Sequence, residues 1–394
     1  MTDSPPADDR SPRATWSCRW CAARSGEVVL DLGRQPAADR FPSVGETEPD
    51  PLHELRMVLC GRCGLAQLED DPTGAEEPRG VEPVALVEQA QDAVADLVAA
   101  GWVAAGSRVT EYGSPHGGSW LGPVAAAVPA VTIVGDGVAD LVIDSLGLMH
   151  EPDVRAAWDR RVGRLAPDGV LALHVHPLST ILRDGTWNAL RHGHYAYFSL
   201  TVLVAMARSS GLVPVGLWDY PLYGGTQVLT LARHGSRPAA AATAAERVVA
   251  ELTLDVRSGV CRAEALRDLD RHVGASTTAL RAWLDAQPGP VVGYGAASRA
   301  VALLAAAGVT SSDVEVVVDA SPAKRGRAMP GRADGRVPIV GPEELDRLRP
   351  DRVLLLVPDL LDEVRQAYPQ VEQHGGRWVV AEPEPRVVPP LTGS

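Results

Sequence analysis

Four of the five cysteines form two C-x-x-C pairs, Cys18 with Cys21 and Cys60 with Cys63. Each pair lets two thiolates hold one metal ion from a tight turn, and the second pair completes the tetrahedral sulfur set that Zn²⁺ favours. Sulfur then fills every position around the ion, so none is left for a reactive water. The spacing therefore predicts a structural zinc site rather than free or redox-active thiols. The remaining cysteine, Cys261, is expected to be inert.

A second group of chemically capable residues is the run Arg191, His192, Gly193, His194 and Tyr195. Histidine suits proton transfer near neutral pH, because its pKa lies there. An arginine beside it can hold an anionic group or stabilise an enolate. The run predicts an acid/base site, with a pair of purely structural histidines as the alternative.

The stretch VTEYGSPHGG (109–118) is typical of a turn between a strand and a helix. Gly113 and Gly117 would let a cofactor approach the backbone, and Glu111 ends the strand. Asp136 follows about 20 residues later, after a candidate second strand, where an acid can bind ribose hydroxyls. This pattern predicts a cofactor site.

The stretch GYGAASR (293–299) also follows a strand and opens a helix. Gly293 and Gly295 permit a close backbone, and the N-terminus of a helix favours a phosphate. Arg299 could pair with a diphosphate, and Asp319 ends the next strand. The pattern indicates a phosphate-binding unit, or a Rossmann-like scaffold with an ordinary turn.

The elements that must position these residues alternate between strands and helices from Arg108 onward, which favours a parallel, doubly wound sheet. A helix over Val84–Ala105 precedes this sheet, and residues 237–286 are predicted to form a connecting helix pair. A second alternation begins near residue 290. The predicted strands are Val28–Leu32, Leu55–Leu59, Val109–Tyr112, Val131–Val134, Asp140–Ser145, Val170–His176, Val213–Asp219, Gln227–Arg233, Val291–Tyr294, Val314–Val318 and Val353–Val357.

Composition excludes several classes of function. The 394 residues carry a formal net charge of −13 and no basic stripe, so no nucleic-acid partner is expected. No apolar run reaches about 18 residues, which predicts no membrane span. Residues 1–14 are polar, lack the apolar core of a signal peptide and are expected to be disordered. We expect a cytoplasmic protein, monomeric or homodimeric.

Longer strings give a family resemblance. LGRQPAADRF and LRMVLCGRCGLAQL surround the cysteines, WNALRHGHYAYFSLT spans 187–201, YGGT spans 223–226, and VVGYGAASRAVALLAAAGV opens a block that ends at VVVDASPAKRGRAMPGRADGRVP (291–338). These strings resemble the sugar C-methyltransferases, which act on nucleotide-linked 4-keto-deoxysugars in antibiotic pathways. The resemblance follows the family's domain order over nearly the whole chain.

The resemblance implies an α/β protein with a disordered lead (1–14), a zinc-binding module (15–75), a shortened Rossmann-like methyltransferase domain (76–236), a helical connector (237–286) and a smaller Rossmann-like nucleotide-binding domain (287–394). The implied cofactors are structural Zn²⁺ and S-adenosylmethionine. The implied partner is a nucleotide-activated sugar or a related small keto compound.

The resemblance also implies roles. His194 would be the general base that takes the proton alpha to the sugar ketone, with His192 as an orienting partner or oxyanion donor. Arg191 and Tyr195 complete the catalytic candidates. Glu111, Gly113, Gly117 and Asp136 would bind S-adenosylmethionine. The substrate-binding candidates are Tyr223, Gly224, Gly225, Thr226, Tyr294, Gly295, Ser298, Arg299, Asp319 and Lys324.

Departures from the family pattern fall where substrate and cofactor would bind. Relatives tend to have Tyr-His-Glu-His where this chain has residues 191–194, and HGGSLR where it has YGGTQV (223–228). DPTGAEEPRG (71–80) replaces a tyrosine-rich segment. Only three residues separate Asp136 from Asp140, where a methyltransferase inserts a helix, a third strand and another helix. Because that strand lies at the sheet edge, the core can survive its loss, but much of the adenine wall goes with it.

Three hypotheses remain open. The first is a C-methyltransferase. The second uses the same enolate without S-adenosylmethionine, as an epimerase, isomerase or eliminating enzyme. The third is a non-catalytic binding protein. His174 and His176 end a strand and could line the pocket, bind a second metal, or be simple polar termini. His116 and His150 are similar cases, and their roles stay open.

Overall fold

The computed structural model describes residues 11–74, 81–113, 117–242, 244–331 and 335–390. Residues 1–10 of the predicted lead, residues 75–80 of the replaced segment, and His116 lie outside these ranges.

The first sheet contains the cysteine pairs and is antiparallel, with the strand order β1-β2-β3-β8. Its fourth strand comes from much later in the chain, because Ala66 pairs with Tyr197 and Gln67 with Ala196. Residues 196–197 therefore complete the sheet of the zinc module, although they follow directly on the His194 loop. The strands are β1 (Gly26–Pro36), β2 (Leu52–Cys60), β3 (Ala66–Leu68) and β8 (Ala196–Tyr197).

The second sheet has six strands in the order β5-β4-β6-β7-β10-β9. Strands β5, β4, β6 and β7 are parallel to one another, whereas β10 runs antiparallel to both β7 and β9. The predicted doubly wound sheet with an antiparallel closing hairpin is confirmed. Its strands are β4 (Arg108–Tyr112), β5 (Thr132–Ile133), β6 (Ala139–Ser145), β7 (Leu165–Val175), β9 (Leu212–Tyr220) and β10 (Thr226–Arg233), and the helices around it are α1 (Val84–Ala99), α2 (Leu121–Ala127), α3 (Val154–Gly163), α4 (Leu178–Asp184) and α5 (Leu200–Ser209).

The predicted shortening after Asp136 is visible at the sheet edge. β5 has two residues and pairs only with Arg108 and Val109, at the start of β4. The chain then returns to the start of β6, and the side chain of Arg164 donates to the carbonyls of Val134 and Gly137 along this crossover. Arg164 thus satisfies backbone groups that a longer connection would pair within its own elements.

Helix α1 ends six residues before the predicted Ala105. Gly101 adopts a left-handed φ of 76°, and its N–H bonds to the carbonyl of Val98 while that of Trp102 bonds to Leu97. A glycine in this conformation is a common helix terminator. The connecting segment, which was predicted to be a helix pair, contains four helices. Gly259 ends the second of them, α7, with a left-handed φ of 69°. These helices are α6 (Arg237–Ala241), α7 (Ala245–Ser258), α8 (Ala263–Leu266) and α9 (Asp268–Asp285).

The third sheet has the order β13-β12-β11-β14-β15-β16 and is parallel except for β16. This confirms the second Rossmann-like alternation. The strands are β11 (Val291–Tyr294), β12 (Val314–Val318), β13 (Ile339–Val340), β14 (Arg352–Leu355), β15 (Arg377–Val380) and β16 (Arg386–Val387), and the helices are α10 (Ser298–Ala306), α11 (Glu343–Leu348), α12 (Leu361–Ala367) and α13 (Gln370–Gln373).

The first sheet lies between the other two. Successive residues of β2 point to opposite faces: Met57 and Leu59 join an apolar cluster with Leu303 and Val317 of the C-terminal unit. Val58 joins a different cluster with residues of the second sheet. Both faces of the module are thus buried, and a cleft forms where the units meet. Among the described residues, no helix combines the length and apolar character needed to cross a bilayer.

Candidate active site

The four predicted zinc ligands meet at one point. Their sulfur atoms all lie within 4.8 Å of one another, with Cys18 Sγ and Cys63 Sγ 3.6 Å apart, as are Cys21 Sγ and Cys60 Sγ. Tetrahedral Zn–S bonds of about 2.3 Å put sulfur atoms about 3.8 Å apart, so the donor set fits Zn²⁺.

Further groups around the sulfur atoms suit a thiolate site. Gln67 Nε2 donates to Cys18 Sγ at 3.3 Å, and the Arg62 N–H donates to Cys60 Sγ at 3.4 Å. Such outer contacts orient metal ligands. The second metal considered for His174 and His176 has no donor cluster, since the cysteine set is the only group of three or more possible ligands in the described part of the chain.

A cavity of about 190 Å³ lies between the second sheet and the C-terminal unit. Arg191 and His194 line it, as do Tyr223, Ser298 and Arg299, so the structure brings together candidates from three separate motifs. The remaining lining residues are Val81, Pro83, Leu86, Leu146, Met149, His150, His176, Ala189, Ala297, Leu356, Val357, Pro358, Asp359 and Leu360.

His194 is 3% exposed and contacts two aromatic rings. The His150 ring meets it edge-on with centroids 4.9 Å apart, and the Tyr197 ring lies at 4.4 Å. His150 is itself oriented, because its Nδ1 is 2.8 Å from the Gly193 carbonyl. A carbonyl can only accept, so Nδ1 donates. Two fixed imidazoles therefore face one cavity.

Arg191 is 8% exposed and lines the same cavity. Among the described residues, its guanidinium has no carboxylate at ion-pair distance. An unpaired buried cation is costly, and a guanidinium matches carboxylate and phosphate groups well. The arrangement is suited to an anionic ligand or to negative charge that develops on an oxygen.

Asp71 holds the loop that carries these residues. Its carboxylate accepts the Gly193 N–H at 2.6 Å and bonds to Thr73. Burial opposes ionisation of Asp71, yet the bonds from Thr73 and Gly193 keep its pKa below the usual value. Asp71 belongs to the segment that replaces the family's tyrosine-rich stretch.

Two catalytic candidates face the zinc module instead of the cavity. The His192 ring lies 3.4 Å from the Glu54 carbonyl and beside His53, and burial lowers its pKa. Tyr195 lies under the Arg19 guanidinium, 4.9 Å from its ring centroid, and burial raises its pKa. Neither lines the cavity, so both can act on the site only through the loop.

Tyr223 occupies a strained position at the cavity. Its φ of 58° and ψ of 34° are left-handed, a conformation rare for a bulky residue and often found at functional sites. Gly224 and Gly225 continue this turn with φ values of 75° and 136°, and a Cβ on Gly224 would meet Asp184 Oδ2 at 2.5 Å. Thr226 is buried and donates to Gln89 Oε1 at 3.1 Å, behind the cavity.

The C-terminal unit contributes a cation at the start of α10. Arg299 pairs with Asp359 at 3.3 Å, and both line the cavity with Ser298. Burial raises the pKa of nearby Glu382, which the Arg299 charge and a bond from Asn188 partly offset. This corner can hold a phosphate if Asp359 moves aside or shares Arg299.

Other predicted substrate contacts build the turn that presents Arg299. Asp319 accepts the N–H groups of Ala296 and Ser321, both at 2.8 Å. Lys324 Nζ donates to the Ala296 carbonyl at 2.7 Å and lies over the Phe41 ring. Tyr294 packs against Tyr368 and Trp378, and a Cβ on Gly295 would meet Val357 at 2.7 Å.

The predicted cofactor turn keeps part of its expected geometry. Glu111 accepts the Trp120 N–H at 2.7 Å and the Ser119 hydroxyl, and burial raises its pKa. Gly117 has a φ of 84°, with open space at its Cβ position. Gly113 lies at the end of β4. Asp136, in contrast, is exposed in the crossover after the short β5, not at the end of a full-length strand.

The turn therefore fits the close approach of a ligand, whereas the wall that would hold adenosine is reduced. The sequence left the role of His150 open and singled out neither Asp71 nor Asp359 as a site residue. His150 gave one usable signal, a histidine just beyond a predicted parallel strand, where ligand sites concentrate. Asp71 and Asp359 gave none, because their positions depend on how the units pack.

The sheet order, the glycine-rich turn and the cleft define an α/β enzyme of the methyltransferase type, with an added zinc module and a second Rossmann-like unit. Two solved methyltransferases align with part of it. The 1,6-didemethyltoxoflavin-N1-methyltransferase of Burkholderia thailandensis gives a TM-score of 0.26 at 17% identity, over 39% of this chain and 79% of that one. The magnesium protoporphyrin IX methyltransferase of Synechocystis PCC 6803 gives 0.28 at 18%, over 38% and 84%.

Sequence comparison then gives the family. Residues 18–75 match a model described as a zinc binding domain, and residues 221–383 match the C-methyltransferase C-terminal domain. C-methyltransferase NovU of Streptomyces niveus is 28% identical over 416 aligned positions, which cover 94% of this chain and 96% of the relative. The chain is therefore similar to C-methyltransferases over nearly its whole length.

Proposed function

We propose that the protein is a C-methyltransferase of secondary-metabolite deoxysugar biosynthesis, which acts on a nucleotide-linked keto-sugar through an enolate. The observation that carries this proposal is the shared cavity: His194, His150 and Arg191, which has no carboxylate partner in the described part of the chain, face the same space as Ser298 and Arg299. A base, an oxyanion partner and a phosphate-binding corner are the parts that an activated keto-sugar requires.

In the proposed first step, His194 removes a proton from the carbon alpha to the ketone. The C–H electron pair forms the enolate double bond, and the carbonyl π pair moves onto oxygen. Arg191 stabilises that oxygen, since a preorganised cation in a dry site is effective against developing charge. His150 buttresses the His194 ring. Ser298 and Arg299 bind the diphosphate.

S-adenosylmethionine, bound at the turn of Glu111, Gly113 and Gly117, would supply a methyl group to the nucleophilic carbon of the enolate. The chain's part there is to admit the ligand close to the backbone, which the open Cβ position of Gly117 allows. Asp136 would bind ribose hydroxyls from its position in the short connection between β5 and β6.

A second candidate function uses the same enolate without methyl transfer. The two-residue β5 and the short crossover favour it, because they remove much of the surface against which adenine would pack. Return of the proton to the opposite face gives an epimer, a shifted carbonyl gives an isomer, and loss of a beta substituent gives an elimination product.

The test follows two signals on one substrate, a nucleoside diphosphate-linked 4-keto-6-deoxyhexose. NMR in D₂O reports deuterium incorporation alpha to the ketone, and a labelled methyl group on S-adenosylmethionine reports transfer. We expect exchange by the wild type and a loss of about 10²- to 10⁴-fold in His194→Gln. The exposed His374→Gln is the matched control.

Label transfer that depends on His194 supports methylation. Exchange with no transfer, and no binding of S-adenosylmethionine by calorimetry, moves the assignment to the second candidate. Absence of exchange in the wild type, or equal exchange in His194→Gln, rejects the enolate mechanism and favours a binding protein.

A further inference from the structure

His176 follows the last residue of β7 and is 9% exposed. It lines the cavity, and its ring lies 6.4 Å from that of Tyr223. The proposed enolate chemistry gives it no task. It is therefore a buried polar group in the site that the mechanism leaves unexplained.

The surroundings of the His176 ring indicate its tautomer. The backbone of Tyr223 favours protonation of the ring, as a carbonyl that accepts from a ring N–H does, while Nε2 has no hydrogen-bond partner among the described residues. The bonded atom is thus Nδ1, which must donate because a carbonyl only accepts. In a neutral imidazole, Nε2 is then a lone-pair acceptor.

The surroundings keep this imidazole neutral. Burial, and then the positive charges of Arg299 and Arg191, hold the pKa of His176 at about 3. His174 opposes its protonation as well, whereas the Tyr223 backbone favours it. At working pH His176 neither carries charge nor serves as a strong base, so its remaining capacity is to accept a hydrogen bond.

A buried acceptor that stays unmatched is costly, so a ligand that supplies a donor gains affinity over one that does not. A ketone, carboxylate or phosphate oxygen cannot supply that donor, whereas a hydroxyl can. We propose that His176 is a specificity residue whose Nε2 accepts a hydrogen bond from a hydroxyl group of the substrate. Together with Arg191, it selects a ligand that joins an anionic or enolisable part to a free hydroxyl.

This inference rests on the proposed function, because it takes the cavity as the sugar site. The test uses three probes: a nucleoside diphosphate-linked 4-keto-6-deoxyhexose with hydroxyls at C2 and C3, and its 2-deoxy and 3-deoxy analogues. Calorimetry gives each Kd, and deuterium incorporation gives each kcat and KM. The variants are His176→Phe, which removes the acceptor, and His176→Gln, which keeps one; His374→Phe and His374→Gln are the matched controls. Zinc content and thermal unfolding show that each variant is folded.

We expect the wild type to bind one deoxy analogue about 10- to 100-fold more weakly than the parent sugar. His176→Phe should bind the parent as weakly as that analogue, with the loss in KM and not in kcat, and His176→Gln should recover part of the preference. The increase in KM caused by His176→Phe should be the same at every pH between 6 and 8. Replacement of a general base would give an effect that changes with pH.

Two results would overturn the assignment of His176 and leave the proposed function intact. One is a His176→Phe variant whose affinity falls equally for all three probes. The other is a His176→Phe variant that prefers the parent sugar as strongly as the wild type does. Failure of the wild type to bind or exchange any probe overturns the proposed function, and the role of His176 with it.

Discussion

Glu363, in α12 of the C-terminal unit, caps Val84 at the start of α1. Its Oε1 accepts the Val84 N–H and its Oε2 the Ala85 N–H, both at 3.1 Å. The helix has no side-chain cap of its own, so the first turn of α1 relies on a residue from the opposite side of the cleft. Val81 and Pro83, just before this turn, line the cavity.

Replacing Glu363 with Ala should cost about 1 kcal/mol of stability, the usual value of an N-cap. The exposed Glu88→Ala in the same helix is the control and should change stability by less than half as much. Thermal and urea unfolding measure the difference. If Glu363→Ala and Glu88→Ala lower the free energy of unfolding equally, the bonds from Glu363 to α1 do not stabilise the protein in solution.

Replacing Asp71 with Ala should loosen the His194 loop, because Gly193 loses its acceptor. We expect deuterium exchange to fall about tenfold and stability to fall by about 1–3 kcal/mol, as for a bond to a charged group. The neighbouring Asp70→Ala, which removes an exposed carboxylate, is the control. An unchanged exchange rate in Asp71→Ala would contradict the assigned positioning role.

The Asp71 effect on stability also has a defined pH window. A carboxyl whose pKa is lower in the folded state stabilises the fold above its unfolded pKa, which is about 3.9. That contribution is lost as pH falls through the lower folded value. The stability difference between wild type and Asp71→Ala should therefore be constant from pH 5 to pH 8 and narrow below about pH 4, which urea titrations across this range would measure.

Replacing Arg191 with Gln should weaken binding of the nucleotide-linked keto-sugar, or slow enolate formation, by about 10- to 100-fold. Arg191→Lys should recover little, since an ammonium lacks the planar pair of donors. The exposed Arg208→Gln tests the loss of one positive charge alone. Calorimetry separates the two effects: an unchanged Kd with slower exchange places Arg191 at the enolate oxygen, and no change in either measurement excludes it from the site.

Zinc removal should damage the His194 loop as well as the module that binds the metal. Cys60→Ser should lose the metal and lower the unfolding temperature, and exchange should fall because β8 loses its partner strand. Cys261→Ser, outside the four-sulfur set, should retain one zinc ion per chain. Elemental analysis by mass spectrometry gives the metal content. A Cys60→Ser variant with full metal and activity would refute the assignment.

Features encoded locally were predictable from the sequence. The zinc ligands lie within two short motifs, and the order of strands follows from the alternation of apolar segments with glycine-rich turns. The shortening after Asp136 was also visible, since three residues cannot hold a strand and two helices. The position of Asp136 could not be predicted, because it depends on how far β5 extends along β4, and this is set by the register of the two strands.

The parts of the site that depend on packing between units could not be predicted from the sequence. His150 meets His194 only because two distant loops converge at one edge of the sheet. Lys324 and Asp319 were predicted to bind substrate, and in the structure they support the backbone around Ala296. Polar residues after a strand can bind a ligand or stabilise the turn that does so, and the sequence pattern is the same for both. The assignments of individual site residues stay predictions.

The pairing of β3 with β8 also limits how this chain can be made. The cysteine module is synthesised early, but its sheet stays one strand short until Ala196 and Tyr197 have left the ribosome. Such long-range pairing slows folding, and an exposed strand edge invites wrong partners. A fragment that stops before Tyr197 should therefore aggregate or recruit a foreign strand, and attempts to exchange the cysteine module between relatives should carry residues 187–201 along with it.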